Sequence, residues 1–110
     1  MRESISAVVA RNDLWEGVAT SEPYEVAWAS EAVIFLRNLG STGTPELARA
    51  WVQISPDGLN WVDEGTLLEI PREGGLKSAR IRGFGAFMRV MTVLPQGSSF
   101  KALLTFSLKE

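Results

Sequence analysis

Two residue types that carry much of protein chemistry are missing from these 110 residues, because there is no cysteine and no histidine. Without cysteine there can be no disulfide, thiolate nucleophile, iron–sulfur cluster or thiolate zinc site. Without histidine there can be no Ser-His-Asp triad, imidazole base or histidine metal ligand. Long apolar runs are also missing: no stretch approaches the ~18 residues of a membrane helix, and the apolar segment at residues 5–10 is too short for a signal peptide. We therefore expect synthesis in the cytoplasm without a signal peptide and no membrane partner.

What is present is a succession of short strands separated by turn residues. The clearest strand covers residues 100–108, where Phe100, Ala102, Leu104, Phe106 and Leu108 alternate with mostly polar residues. Further strands are predicted at 4–10, 14–19, 24–29, 32–38, 47–55, 66–70, 76–82 and 87–94, with a short one at 61–63. Turns about 8–12 residues apart are typical of a sandwich or barrel. The prediction is a single all-β domain over residues 1–110, a two-sheet antiparallel β-sandwich, jelly-roll-like, with about eight or nine strands.

Two turns in this pattern are predicted from their residue types. Residues 11–13, Arg-Asn-Asp, separate the first two predicted strands. At Pro56-Asp57-Gly58 the proline presets φ for a type I turn, and the glycine can take a positive φ. The second segment is predicted to be a hairpin turn with a G1 bulge.

The hairpin is also where the chain resembles a known family. Residues 52–61, Val-Gln-Ile-Ser-Pro-Asp-Gly-Leu-Asn-Trp, resemble the "strand, Ser-x-Asp-Gly-x-x-Trp, strand" hairpin of discoidin-like, galactose-binding-type jelly rolls. Residues 85–90, Gly-Ala-Phe-Met-Arg-Val, resemble their penultimate strand, and the strand at 100–108 fits the same order. The same features are similar to small β-sandwich proteins of unassigned function in bacteria and in tailed-phage structural gene sets. The resemblance implies the fold. It implies no sugar or lipid site, because the ligand loops of discoidin domains lie mostly in their first half, where nothing matches.

No catalytic constellation is evident among the remaining reactive residues. The acids show no pattern that would place two carboxylates across a cleft, and neither S-x-x-K, G-x-S-x-G, a P-loop nor a dinucleotide fingerprint occurs. We therefore expect no enzyme, no catalytic residue and no cofactor. Asp57, Asn60, Asp63 and Glu64 offer oxygen ligands within eight positions, so calcium is an alternative there. Because Asp and Asn favour turns for their backbone geometry, the preferred interpretation is a turn without a metal.

Four tryptophans are many for this length, and outward aromatic residues can anchor an interface or stack on a sugar. Trp51 lies between Arg49 and Gln53 on the polar side of its predicted strand, where an interface role and a purely structural role are both open. The interface candidates are Trp15, Arg49, Trp51, Trp61, Arg80 and Arg82. The candidates for glycan binding are Trp51, Asp57, Asn60, Trp61 and Asp63.

The net charge of −2 conceals a strong division along the chain. Residues 1–71 hold four arginines and eleven acids, a net of −7, and residues 72–110 hold seven cations and two acids, a net of +5. These charges pair within one chain if the strands interleave, or between subunits if they do not. Nucleic acid is not expected as a partner, because the whole chain is acidic although Arg80 and Arg82 share a strand face.

The function favoured by these observations is that of a non-catalytic structural protein. It would assemble with copies of itself or with other proteins of a larger particle, and its most specific form is a component of a phage virion or phage-like particle. The alternative is a carbohydrate-binding module with an aromatic platform near Trp51 and Trp61.

Overall fold

A computed structural model describes residues 3–110, which form nine strands and one short 3₁₀ turn, Pro45–Leu47. Among these residues there is no helix of the length and apolarity needed to cross a bilayer. The strands are β1 Ser4–Glu16, β2 Val18–Thr20, β3 Tyr24–Glu25, β4 Glu31–Thr42, β5 Arg49–Ser55, β6 Val62–Glu69, β7 Leu76–Arg82, β8 Phe87–Val93 and β9 Ser99–Lys109.

The strands form two antiparallel sheets that pack face to face, which confirms the predicted all-β sandwich. The first sheet has the order β1-β9-β4-β7, and the second has the order β2-β8-β5-β6, with β3 also paired to β8. Pairing is nested along the chain: β1 joins β9, β2 joins β8, β4 joins β7 and β5 joins β6. Nested antiparallel pairing distributed over two sheets is the arrangement of a jelly roll.

Alternation of side chains places the core between the sheets. The five apolar residues predicted to share one side of the last strand, Phe100 to Leu108, are all buried. From the second sheet Val52, Met88 and Val90 are fully buried against them. Because successive side chains of a strand point to opposite sides, each buried row implies an outward-facing row on the same strand.

The predicted turn at residues 11–13 is wrong, because the chain continues there as the long strand β1. Asn12 adopts a φ of 55°, and the register between β1 and β9 shifts there, between Arg11 and Asp13, as it also does between Val8 and Ala10. Asparagine tolerates this left-handed conformation better than other side chains, so polar residues that favour turns form an irregularity within an edge strand.

Two further boundaries differ from the prediction. The predicted strand at 24–29 is reduced to the two residues of β3, and the predicted segments 61–63 and 66–70 are parts of one strand, β6. The edge beside β8 continues between β2 and β3 through Ser21, whose N–H donates to the Val90 carbonyl at 2.8 Å. The hydroxyl of Ser21 in turn accepts from the Val90 N–H at 2.9 Å.

Candidate interaction surfaces

The outward side of the second sheet carries a strip of large apolar side chains. Trp51 on β5 stands opposite Leu67 on β6 and Met91 on β8, and Val18 on β2 stands opposite Val93 on β8. Val18 and Leu67 remain 69% and 66% exposed, while Trp51 is half-buried. We call this surface the tryptophan face. It is defined by Val18, Thr20, Arg49, Trp51, Gln53, Trp61, Asp63, Leu67, Glu69, Arg89, Met91 and Val93.

A ladder of polar contacts borders the strip one register row away. Arg89 donates from Nε to Gln53 Oε1 at 2.8 Å, and Gln53 donates from Nε2 to Asp63 Oδ1 at 3.0 Å. The Arg89 guanidinium also lies over the Trp61 ring, with Cζ 4.1 Å from the ring centre. Gln53 thus bridges two side chains of opposite charge, Arg89 and Asp63. Because the guanidinium is already stacked on Trp61, it loses little conformational entropy when a partner binds.

Asp57 and Asn60, two candidates for glycan binding, are used by the hairpin itself. Asp57 Oδ1 accepts from the N–H groups of Leu59 and Asn60, both at 2.9 Å, and its Oδ2 accepts from Asn60 Nδ2 at 2.8 Å. Hydrogen bonding by the Asn60 N–H, the Leu59 N–H and the Asn60 amide holds the pKa of Asp57 well below its ordinary value. Within residues 3–110, no cluster of three or more acidic side chains is placed to hold a metal ion.

The prediction for the hairpin is confirmed for the conformation of Gly58 and wrong for the length of the connection. Gly58 has a φ of 80°, as its position after Pro-Asp predicts. The predicted hairpin is present, since β5 pairs with β6, but its predicted G1 bulge is wrong, because Ile54 pairs with Val62 and residues 55–61 form a longer connection. The Asp57 carboxylate stabilises this connection by accepting from two successive N–H groups, those of Leu59 and Asn60.

Trp15 is not available to a partner, so its assignment as an interface candidate is wrong. It is 3% exposed and packs edge to face against Phe100, with ring centres 5.6 Å apart. The reason is its pairing with Phe100 on β9, because the two register shifts of β1, at Val9 and at Asn12, together leave Trp15 on the same inward side as Ala10. Without the register of β1, the sequence around Trp15 indicates no direction for its side chain.

The remaining interface candidates divide between opposite sides of the sandwich. Arg49, Trp51 and Trp61 belong to the tryptophan face, whereas Arg80 and Arg82 lie on the outward side of the first sheet. Sequence reasoning missed the contributions of Gln53 and Arg89 to the tryptophan face. The alternation of buried Met88 and Val90 with Phe87, Arg89 and Met91 is the signal that could have found Arg89.

The outward side of the first sheet carries most of the positive charge of the molecule. Register rows place Arg80 beside Val33, and Arg37 beside Leu76 and Leu103, with Phe35 between these rows. We call this surface the basic face. It is defined by Val8, Arg11, Glu31, Val33, Phe35, Arg37, Leu76, Arg80, Arg82, Lys101, Leu103 and Lys109.

The basic face draws its cations from both halves of the chain, because β9 inserts between β1 and β4. The residues that define it hold six cations and Glu31, a net of +5, and Glu16, beside Ser99 at the end of the same side, lies outside this definition. Residues 3–110 contain ten cations and thirteen acids. Outside the basic face they therefore hold four cations and twelve acids, a net of −8. Arg2, counted above in the acidic half, lies outside the described residues. The strands interleave, yet the described residues form two ion pairs, Arg82–Glu31 and Lys77–Glu69, both at 3.3 Å.

Comparison with solved structures identifies proteins of the same fold. The SPBc2 prophage-derived protein YomS has a TM-score of 0.63 at 8% identity, covering 100% of this chain and 96% of its own. The PBSX exported protein XepA has a TM-score of 0.57 at 10% identity, covering 98% of this chain and 36% of its own. No protein-family model and no curated protein matches the sequence. At these identities the similarity establishes the fold.

Proposed function

We propose that this chain is a non-enzymatic structural protein of a phage-type particle, and that it works by docking on another protein surface through the tryptophan face. The prophage origin of YomS, which matches over the full length of this chain, supports the phage setting. The observation that carries the docking role is the apolar strip around Trp51 beside a fixed polar ladder.

The composition of the tryptophan face is that of an interface rather than of ordinary surface. Aromatic residues, methionine and arginine are enriched in interface cores, and a few such residues carry most of the binding free energy. Here Trp51, Met91 and Leu67 are contiguous across three strands. Gln53 and Arg89 are already held by hydrogen bonds, so little side-chain entropy remains to be lost on docking.

The test is co-sedimentation with phage-like particles purified from cells that encode the chain. The wild-type protein is expected to sediment with the particles. Trp51→Ala is expected to raise the Kd about 30-fold, or ~2 kcal/mol, and so to lower the bound fraction. The matched control is Leu47→Ala, which removes a 72% exposed leucine outside the face and should bind like the wild type. The purified protein run without particles corrects for self-association. Equal loss in both variants, or no binding by the wild type, would contradict the proposal.

A carbohydrate-binding module is the second candidate, and it uses the same surface. Trp51 is partly exposed one register row from Gln53 and Arg89, and an aromatic ring beside hydrogen-bonding groups suits a sugar. A glycan array separates the two candidates. Hits that disappear in Trp51→Ala while its thermal unfolding is unchanged would favour the sugar, and an array without hits would remove this candidate.

A further inference from the structure

The basic face and the tryptophan face lie on opposite sides of the molecule, on two sheets of opposite net charge. Strands β2, β3, β5, β6 and β8, with their connections at 21–23 and 56–61, hold Glu22, Glu25, Asp57, Asp63, Glu64 and Glu69 against Arg49 and Arg89. Their net charge is −4, although the four charged residues of the tryptophan face itself balance one another. Strands β1, β4, β7 and β9 hold seven cations against Asp13, Glu16 and Glu31, a net of +4, so the two sheets are opposite in charge.

The two faces also match in size. Each is four strands wide, about 19 Å, and four alternating rows extend about 27 Å, which gives roughly 500 Å² of flat area before side-chain relief. This area is at the low end of specific interfaces, which bury about 800 Å² per partner, so the association should be weak. Two copies of the basic face would repel each other, which disfavours a symmetric dimer through that face.

We infer that the occupant of the tryptophan face is a second copy of this chain, which presents its basic face. The inference rests on the proposed docking role and names its partner. In this arrangement Phe35, Val33 and Leu103 of one copy cover Trp51, Met91 and Leu67 of the next. The cations around them, Arg37 and Arg80 among them, face the acids at the margin of the tryptophan face. Since donor and acceptor surfaces differ, association continues head to tail into a chain or ring.

Nucleic acid is less suited to the basic face than an acidic protein surface. The centre of the face is aliphatic apart from Phe35, whereas single-strand binding relies on several exposed aromatic rings for base stacking. The net charge of −8 over the rest of the described surface would also oppose a polyphosphate.

Complementation between two variants tests the head-to-tail arrangement by sedimentation velocity. The first variant, Arg37→Glu/Arg80→Glu, reverses charge on the basic face, and the second, Trp51→Ala/Leu67→Asp, breaks the tryptophan face. The wild type should associate further as concentration rises, with the Kd increasing about tenfold or more between 50 and 500 mM NaCl. Each variant alone should be monomeric. Their mixture should form a 1:1 dimer and nothing larger, because each dimer has one broken face at either end.

The control and the remaining outcomes keep the two proposals distinguishable. Arg72→Glu, a charge reversal at an exposed position outside both faces, should associate like the wild type. A wild type that stays monomeric up to about 1 mM, or a basic-face variant that associates normally, would overturn the second-copy inference. Particle co-sedimentation that still depends on Trp51 would then leave the docking role intact. Binding of a single-stranded dT20 oligonucleotide by a monomeric wild type, lost in Arg37→Glu/Arg80→Glu, would also overturn the inference and assign the basic face to nucleic acid.

Discussion

At the scale of single residues, side chains that maintain the backbone differ from those that are free for a partner. The Asp57 carboxylate accepts from N–H groups of its own hairpin, which agrees with the preferred interpretation as a turn residue, although by sequence Asp57 is also a candidate for glycan binding. Asn38 is completely buried and joins two segments. Among the described residues, the Trp51 side chain makes no hydrogen bond and no aromatic contact, and the residue is partly exposed to solvent. Composition alone could not separate these cases, because hydrogen bonds depend on position as well as residue type.

Replacing Asn38 should cost stability because both ends of its amide are used. Nδ2 donates to the Pro71 carbonyl at 3.1 Å, and Oδ1 accepts from the Gly40 N–H at 2.9 Å. Asn38→Leu leaves these backbone groups without their partner, at an expected cost of about 1–3 kcal/mol in the free energy of unfolding. Urea denaturation measures the loss. Asn12→Gly, at an exposed position with φ 55°, is the control and should stay within about 0.5 kcal/mol of the wild type.

Asp57 should make stability depend on acid pH. Its pKa in the folded protein lies below the unfolded value of about 3.9, so its stabilising effect is complete above that value and declines as the pH falls toward the folded pKa. Asp57→Asn is therefore expected to have a lower Tm than the wild type at pH 7, with the difference narrowing between about pH 4 and pH 2. Calorimetry across this range measures it. A Tm difference unchanged at pH 2 would contradict a role for the ionised carboxylate.

At the scale of strands and loops, local alternation predicts an element well wherever nothing interrupts it. The boundaries of β7, Leu76–Arg82, are confirmed, and β9 differs from the prediction by one residue at each end. The prediction is wrong for β1, because Asn12 can form either a turn or a bulge and only pairing with β9 selects the bulge. The prediction is also wrong for residues 26–29. Their composition is typical of a strand, but the pairing with β8 ends at Glu25, so they do not continue β3.

Gly43, between β4 and the 3₁₀ turn, shows how a loop is fixed by close approach. It has a φ of 72°, and a Cβ there would lie 2.7 Å from both the Gly97 carbonyl oxygen and Ser98 Oγ. Gly43→Ala should therefore cost more than backbone strain alone. Gly17→Ala is the control, because Gly17 has a similar φ of 57° with nothing within 4 Å of the added Cβ, and it should cost about 1–2 kcal/mol. Urea denaturation of both variants isolates the steric part, and equal losses would contradict the close approach.

At the scale of the whole molecule, charge that is divided along the chain becomes charge divided between surfaces. The nested pairing brings Arg11 and Arg37 from the acidic half onto the same face as Arg80 and Lys101 from the basic half. Interleaving therefore concentrates the cations, and most of them remain without an ion-pair partner among the described residues. The −7 and +5 of the two halves of the sequence thus become a basic face of +5 and a remaining described surface of −8.

The amino-acid sequence by itself determined the class of fold and the identity of most core residues, such as Phe100 and Phe106. Both follow from the period of two between side chains, which is a local property of an extended chain. Only the tertiary structure decided which outward residues are neighbours. Trp51, Gln53 and Arg89 meet because β5 pairs with β8, and Arg37 and Arg80 meet because β4 pairs with β7. Such pairings depend on contacts between distant segments, and one strand carries no record of the strand beside it.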